Sequence, residues 1–208
     1  MKRNDTRLVF GFALLLFGLC ASFAASAQQV PRQRYAVASV FNAATQLPIG
    51  QFFSTPVHLG GTAGAEFRYN THPYNQWFQT AKLGFSYHQY VQSTVQVYSE
   101  AGYRRAIWKG MAAEFRLGAG YLHAIPATEI FTLKEGQYKR KTNLGRPQVM
   151  AGAALGLSYT QQKATHPLRF FLDYQFYLQM PFVKSYVPLL PNTLLHLGVG
   201  VPFSTFKQ

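Results

Sequence analysis

The chain of 208 residues has one cysteine, Cys20, and only 7 Asp and Glu against 20 Lys and Arg. Charged residues make up 13% of it, where a soluble domain carries about 25%. Beyond residue 27 no run of apolar residues is long enough for a membrane helix, which needs about 18 or more. These scarcities exclude a disulfide-stapled scaffold, a helical membrane protein and the ordinary composition of a cytosolic enzyme. What is present is 48% hydrophobic and 16% aromatic residues with 17 glycines, too apolar for a disordered chain and suited to packed β-structure. At this length one domain is expected.

Residues 1–27 carry Lys2, Arg3 and Arg7, an apolar run over 8–23, and then Ala25-Ser26-Ala27. The pattern predicts a secretory signal with Gln28 as the first mature residue; a retained membrane helix is the alternative, but the run is short and ends in small residues. Cys20 follows Phe17-Gly18-Leu19, and bulky Leu19 departs from a lipobox. Cleavage after Ala27 leaves no cysteine, which removes disulfides, thiol catalysis and thiolate metal sites. It also leaves 17 Lys and Arg against 6 acids, a balance of +11. A basic exported chain points to an anionic neighbour such as phosphorylated lipid, and not to nucleic acid.

The mature chain is dominated by a period of two. Leu168, Phe170, Leu172, Tyr174, Phe176, Leu178 and Met180 share one face of a predicted strand, opposite Arg169, Asp173, Gln175, Tyr177 and Gln179, with Phe171 among them. The alternation recurs in rows beginning at Leu59, Ala81, Val95, Met111, Val149 and Leu195. These segments run about 10–14 residues, longer than the 5–6 of soluble strands and long enough to cross a bilayer. A weaker segment at 35–41 supplies an eighth strand, as the even count of bacterial barrels requires. The outer connections are then 42–57, 91–93, 125–146 and 182–193, and the inner turns 70–76, 106–110 and 161–167. Three of the four outer connections are long and all the inner turns are short, as expected of an outer-membrane barrel.

Four carboxylates fall in the seven clear strands, and Glu66, Glu100, Glu114 and Asp173 all lie opposite the apolar rows. Arg68, Lys82, Arg104, Arg116 and Arg169 share their face. A lipid-facing Arg or Lys costs about 2–4 kcal/mol near the bilayer midplane, so the charged face is the lumen. An eight-strand barrel is just wide enough to be filled by side chains. The expected fold is therefore an all-β, eight-stranded antiparallel transmembrane barrel with a packed polar lumen. Glu66 with Lys82 and Glu100 with Arg116 are candidate cross-strand pairs. A soluble periplasmic binding barrel is the rival, and requires the opposite orientation of both faces.

On these segments the mature chain resembles the small outer-membrane β-barrels of OmpA/OmpX type along nearly its whole length. Its last strand, 195–206, is similar to the C-terminal strand that such proteins offer to the barrel-assembly machinery, with Phe206 as the late aromatic. The segment Pro181-Phe182-Val183-Lys184-Ser185-Tyr186-Val187-Pro188-Leu189-Leu190-Pro191-Asn192 resembles loops of Bacteroidota barrels. The resemblance implies residence in the bacterial outer membrane and no particular activity.

Two sites are candidates for chemistry. Ser86 and His88 share an inward face two residues apart, near Glu66 or Glu100, and an outer-membrane lipid A deacylase would use such a set for acyl hydrolysis. The order around them, Ser86-Tyr87-His88, is the reverse of the His-x-Ser that the class suggests, so a lumenal histidine in a polar network is the reading preferred here. Histidines 58, 72, 88, 123, 166 and 196 are dispersed singly, without the spacing of a zinc site, and no cofactor or metal is expected. The other site is the 125–146 connection, where 129–133 and 137–141 flank Glu135-Gly136 and predict a projecting hairpin. Lys139, Arg140 and Lys141, with Lys134 and Arg146, make it basic. Tyr186 and Leu189 belong to an apolar, proline-punctuated last loop that either caps the barrel or meets another protein.

These features point to a non-enzymatic scaffold or accessory subunit of the outer membrane, working through its outer loops. Its expected partners are outer-membrane lipid or lipopolysaccharide, or a complex of outer-membrane proteins. A lipid A-modifying hydrolase and a narrow transport channel are the alternatives.

Overall fold

A computed structural model describes residues 34–48, 57–87, 92–127, 130–134, 137–141, 145–161, 167–181 and 188–202. The predicted signal segment, His88 and Tyr186 lie outside these residues. The strands in chain order are β1 (Arg34–Ala44), β2 (Leu59–Arg68), β3 (Asn75–Ser86), β4 (Gln92–Trp108), β5 (Met111–Pro126), β6 (Ile130–Lys134), β7 (Gln137–Lys141), β8 (Arg146–Thr160), β9 (Arg169–Met180) and β10 (Leu190–Pro202). Eight of them close an antiparallel barrel in which β5 pairs with β8 and β1 with β10, while β6 and β7 form a separate two-stranded sheet.

Burial alternates residue by residue along β3 and most of β4, the pattern read from the sequence. Following partners around the wall, Arg34 leads to Phe67, Gln79, Ala101, Leu117, Ala153, Phe176 and Thr193, and returns to β1 at Ala44, ten residues along. With eight strands, that stagger tilts the wall by about 40°. The end that carries the short turns is the inner one, by the rule for outer-membrane barrels. One of these turns has Lys109 and Gly110 both at positive φ, the two-residue type I′ geometry that matches the twist of a hairpin.

The apolar rows face outward. Leu83, Leu117, Leu155 and Leu197 are each more than half exposed, at 61%, 55%, 63% and 63%, while all four strand carboxylates are buried. This excludes the soluble rival, whose faces would be reversed. Only a closed barrel satisfies every strand's backbone groups internally while presenting such a surface to lipid.

The structure shifts several of the boundaries read from the sequence. The connection expected at 91–93 falls at 87–91, because β3 ends at Ser86 and β4 begins at Gln92. The last outer loop is shorter at its end, because Leu190 already pairs with Gln179. β1 turns Tyr35, Val37 and Phe41 into the lumen and leaves Val40 outside. Apolar residues on both of its faces made its alternation weak. Phe78 lies over Gly102 and Phe171 over Gly198, where a Cβ would overlap each ring. Glycine at those positions lets a lumenal aromatic lie flat against the wall.

Candidate functional site: a filled lumen and a basic hairpin

The lumen nearest the inner end is ionic. Glu66 on β2 accepts from Arg104 Nη1 and Nη2 at 3.1 and 3.0 Å and from Arg169 Nη1 at 2.7 Å, so two guanidinium forks share one carboxylate. Arg104 Nε donates to Glu114 at 2.6 Å, and Arg116 Nη1 stands 3.6 Å from the other Glu114 oxygen. The forks also stack, Arg104 4.4 Å from the Phe78 ring centroid and Arg169 4.6 Å from that of Tyr35. Aromatic faces thereby cover guanidinium surface that makes no hydrogen bond.

Toward mid-height, Glu100 accepts from Lys82 Nζ at 2.7 Å, Thr80 Oγ1 at 3.1 Å and Gln175 Nε2 at 3.3 Å, and Arg116 pairs with Asp173. Lys82, Arg104, Arg116 and Arg169 are buried with Glu66, Glu100, Glu114 and Asp173, cation for carboxylate. His196 joins this layer, with Nε2 3.0 Å from Gln175 Oε1 and Nδ1 3.0 Å from Ser39 Oγ. Since an amide oxygen only accepts, Nε2 donates to Gln175, while Nδ1 shares a hydrogen bond with Ser39, whose hydroxyl is also bonded to Thr62 Oγ1 at 2.7 Å. The imidazole links hydroxyls to amide.

Nearer the outer end the filling becomes apolar. Phe41, Tyr98, Leu122, Ala124, Met150, Tyr177 and Leu194 form one buried cluster. An amide layer adjoins it: Gln179 accepts from Gln92 at 3.1 Å and donates to Gln148, whose own amide donates to Pro181 O at 2.7 Å. Gln96 donates to Tyr177 Oη at 3.3 Å. Ionic, apolar and amide layers thus follow one another along the lumen, while Gln96 Oε1, Tyr98 Oη, Ser158 Oγ and Asp173 Oδ1 are buried there without a hydrogen-bond partner.

Of the residues expected in the lumen, Glu66 is not paired with Lys82. Glu66 stands opposite Thr80, and Lys82 opposite Gly64, so Lys82 turns to Glu100 while Glu66 takes the two arginines. Glu100 and Arg116 do approach, at 3.8 Å, as a secondary contact. Arg68 is half-buried and donates to His72 O at 2.7 Å in the first inner turn. Gln175 and Gln179 were read on the inward face of their strand but not as members of the network, to which the structure also adds Gln92, Gln96, Gln148 and His196. Their inward place in the alternation was the available signal, masked by the habit of reading glutamine as a surface residue.

The proposed nucleophile is poorly set for hydrolysis. Ser86 Oγ is buried and bonded to Thr94 Oγ1 at 2.6 Å. Glu66 and Glu100 both stand opposite Thr80, six residues down β3 from Ser86. At the rise of a strand that is roughly 20 Å, so neither carboxylate orients a base there, contrary to the sequence expectation. Among the described residues no group of three His, Cys, Asp or Glu is arranged to hold a metal.

The hairpin of β6 and β7 has Thr132 opposite Lys139, Phe131 opposite Arg140 and Leu133 opposite Tyr138. The three basic residues read together from the sequence, Lys139, Arg140 and Lys141, all belong to β7. Leu189, at the foot of β10, is 44% exposed.

An apolar wall closed around a filled polar lumen is the construction of a small bacterial outer-membrane β-barrel, and the chain resides in that membrane. No family model matches the chain, and no curated protein does. Among solved structures it is similar to Neisserial surface protein A, over 83% of this chain and 97% of that one, with 13% identity and a TM-score of 0.49. The outer membrane enzyme PagL is similar over 81% and 99%, with 9% identity and a TM-score of 0.48. Ail, the attachment invasion locus protein of Yersinia pestis, is similar over 83% and 97%, with 12% identity and a TM-score of 0.44. The Bacteroidota resemblance of the 181–192 segment finds no support among these matches.

Proposed function

We propose that the chain is a non-enzymatic scaffold or accessory subunit of the outer membrane, released from a signal segment at 1–27 and acting through its outer loops. The observation that carries this reading is a two-stranded sheet in the longest outer connection of a barrel whose lumen is filled by buried ionic, amide and apolar side chains. A filled lumen supports neither a channel nor a pocket for substrate, which leaves the exposed loops as the surfaces able to do work. Lys139, Arg140 and Lys141 with Lys134 make this hairpin basic and suited to the phosphates of lipopolysaccharide or to an acidic face of another outer-membrane protein. In this reading Tyr186 and Leu189 of the last loop supply apolar contacts to the partner.

The test is the assembly mass after extraction of native membranes in mild detergent. The expected result is a reproducible complex larger than one chain, which dissociates in the Lys139→Ala/Arg140→Ala/Lys141→Ala variant. A lone barrel in both samples would remove the accessory role.

A further inference from the structure

The acids of this chain are distributed very unevenly. Of seven, Asp5 lies in the N-terminal segment, Glu129 and Glu135 in the longest outer connection, and Glu66, Glu100, Glu114 and Asp173 in the lumen. None remains for the inner rim. There Arg34, Arg105 and Lys109 are exposed, among outward-facing aromatic residues.

The wall's stagger brings Arg34 and Arg105 to one height, with Lys109 in the turn just beyond. Ten residues over eight strands lower a level line by about one residue per strand relative to the hydrogen-bonded row. Arg34 is therefore level with Trp77 and Arg105, although its hydrogen-bonded row runs through Gln79 and Ala101. The guanidinium of Arg34 is 6.0 Å from the Phe67 ring centroid, Trp77 and Tyr103 rings meet at 5.0 Å, and Lys109 Nζ is 5.1 Å from the Trp108 ring. Tyr103 Oη donates to Asn75 Oδ1 at 2.8 Å, so this ring sits with its hydroxyl in a polar layer and its body on the apolar wall.

We propose that this rim, on the β1–β4 side, binds anionic phospholipid headgroups of the periplasmic leaflet. Arg34, Arg105 and Lys109 meet the phosphates, while Trp77, Tyr103 and Trp108 occupy the interfacial depth that such rings favour. The surface is cationic without a neighbouring acid to compete for it, and juxtamembrane cations attract anionic lipid. The inference rests on the barrel's orientation and not on the outer-loop reading.

Both tryptophans of the chain lie at this rim, so its fluorescence reports the rim directly. The folded full chain is placed in phosphatidylcholine vesicles containing equal fractions of dibrominated phosphatidylglycerol or dibrominated phosphatidylcholine. Brominated phosphatidylglycerol is expected to quench more strongly, by about twofold or more. The excess should fall to parity in Arg34→Gln/Arg105→Gln/Lys109→Gln, persist in Trp108→Phe, and shrink in salt of about 0.5 M, where charge is screened within a few ångströms. Equal quenching by the two lipids overturns the proposal, and so does an excess that survives the triple substitution. An excess that vanishes instead with Lys139, Arg140 and Lys141 moves anion binding to the outer hairpin and overturns it too. If the triple variant does not fold, the wild-type salt titration decides, and an excess unchanged by salt counts against the rim.

Discussion

The lumen and the rims use the same basic side chains to opposite ends. Inside, Lys82, Arg104, Arg116 and Arg169 are each within reach of a carboxylate, and Glu66 alone serves two of them. At the inner rim, Arg34, Arg105 and Lys109 are exposed, and the acids of that end, Glu66 and Glu114, are turned into the lumen. The difference teaches that a net charge of +13 says little until its placement is known. The buried cations offset the buried anions and hold the barrel together, and the excess belongs to surfaces that meet something else.

The lumen side of this contrast is broken most severely at Glu66. Glu66→Ala leaves Arg104 and Arg169 buried without their shared carboxylate and should cost about 3–5 kcal/mol, read as a lower urea midpoint for loss of the heat-modifiable barrel band. Leu122→Ala opens the apolar cluster instead and should cost about 2–4 kcal/mol in the same assay, with folding retained. Ser86→Ala removes one hydroxyl pair and should cost about 1 kcal/mol. Mass spectra of lipid A incubated with wild type and with this variant are expected to be identical, and acyl loss specific to the wild type would turn the reading to lipid hydrolysis. The smallest effect on stability, within about 0.5 kcal/mol, is expected for Lys139→Ala/Arg140→Ala/Lys141→Ala, because exposed charges contribute little to folding. A large destabilisation there would show the hairpin to be part of the fold.

Much of this architecture was legible in the alternation. Seven strand spans could be read to within a few residues because each buries polar residues on one face and shows apolar ones on the other. Four carboxylates on one side were enough to say which face is inside. β1 resisted that logic: Tyr35, Val37 and Phe41 point inward while Ala38 and Val40 point outward, so neither hydropathy nor charge distinguishes its faces. Partnerships were harder still. Glu66 pairs with Arg169 across the lumen, a contact between strands that are not neighbours in the wall, and no spacing in the sequence encodes it. The hairpin was readable as two strands and a turn, but the pairing of Phe131 with Arg140 and of Thr132 with Lys139 needed the observed register.

The proposal that this barrel works through its exposed surfaces depends on a lumen filled by ionic, amide and apolar side chains. Single-channel recording of the folded chain in a planar bilayer tests this most directly. The account predicts a flat trace with no unitary steps, because an apolar cluster including Leu122 and Leu194 lies across the lumen beside the ionic layers. Reproducible unitary steps, altered in size by Glu100→Gln or Leu194→Ala, would show a conducting path through the lumen and contradict it.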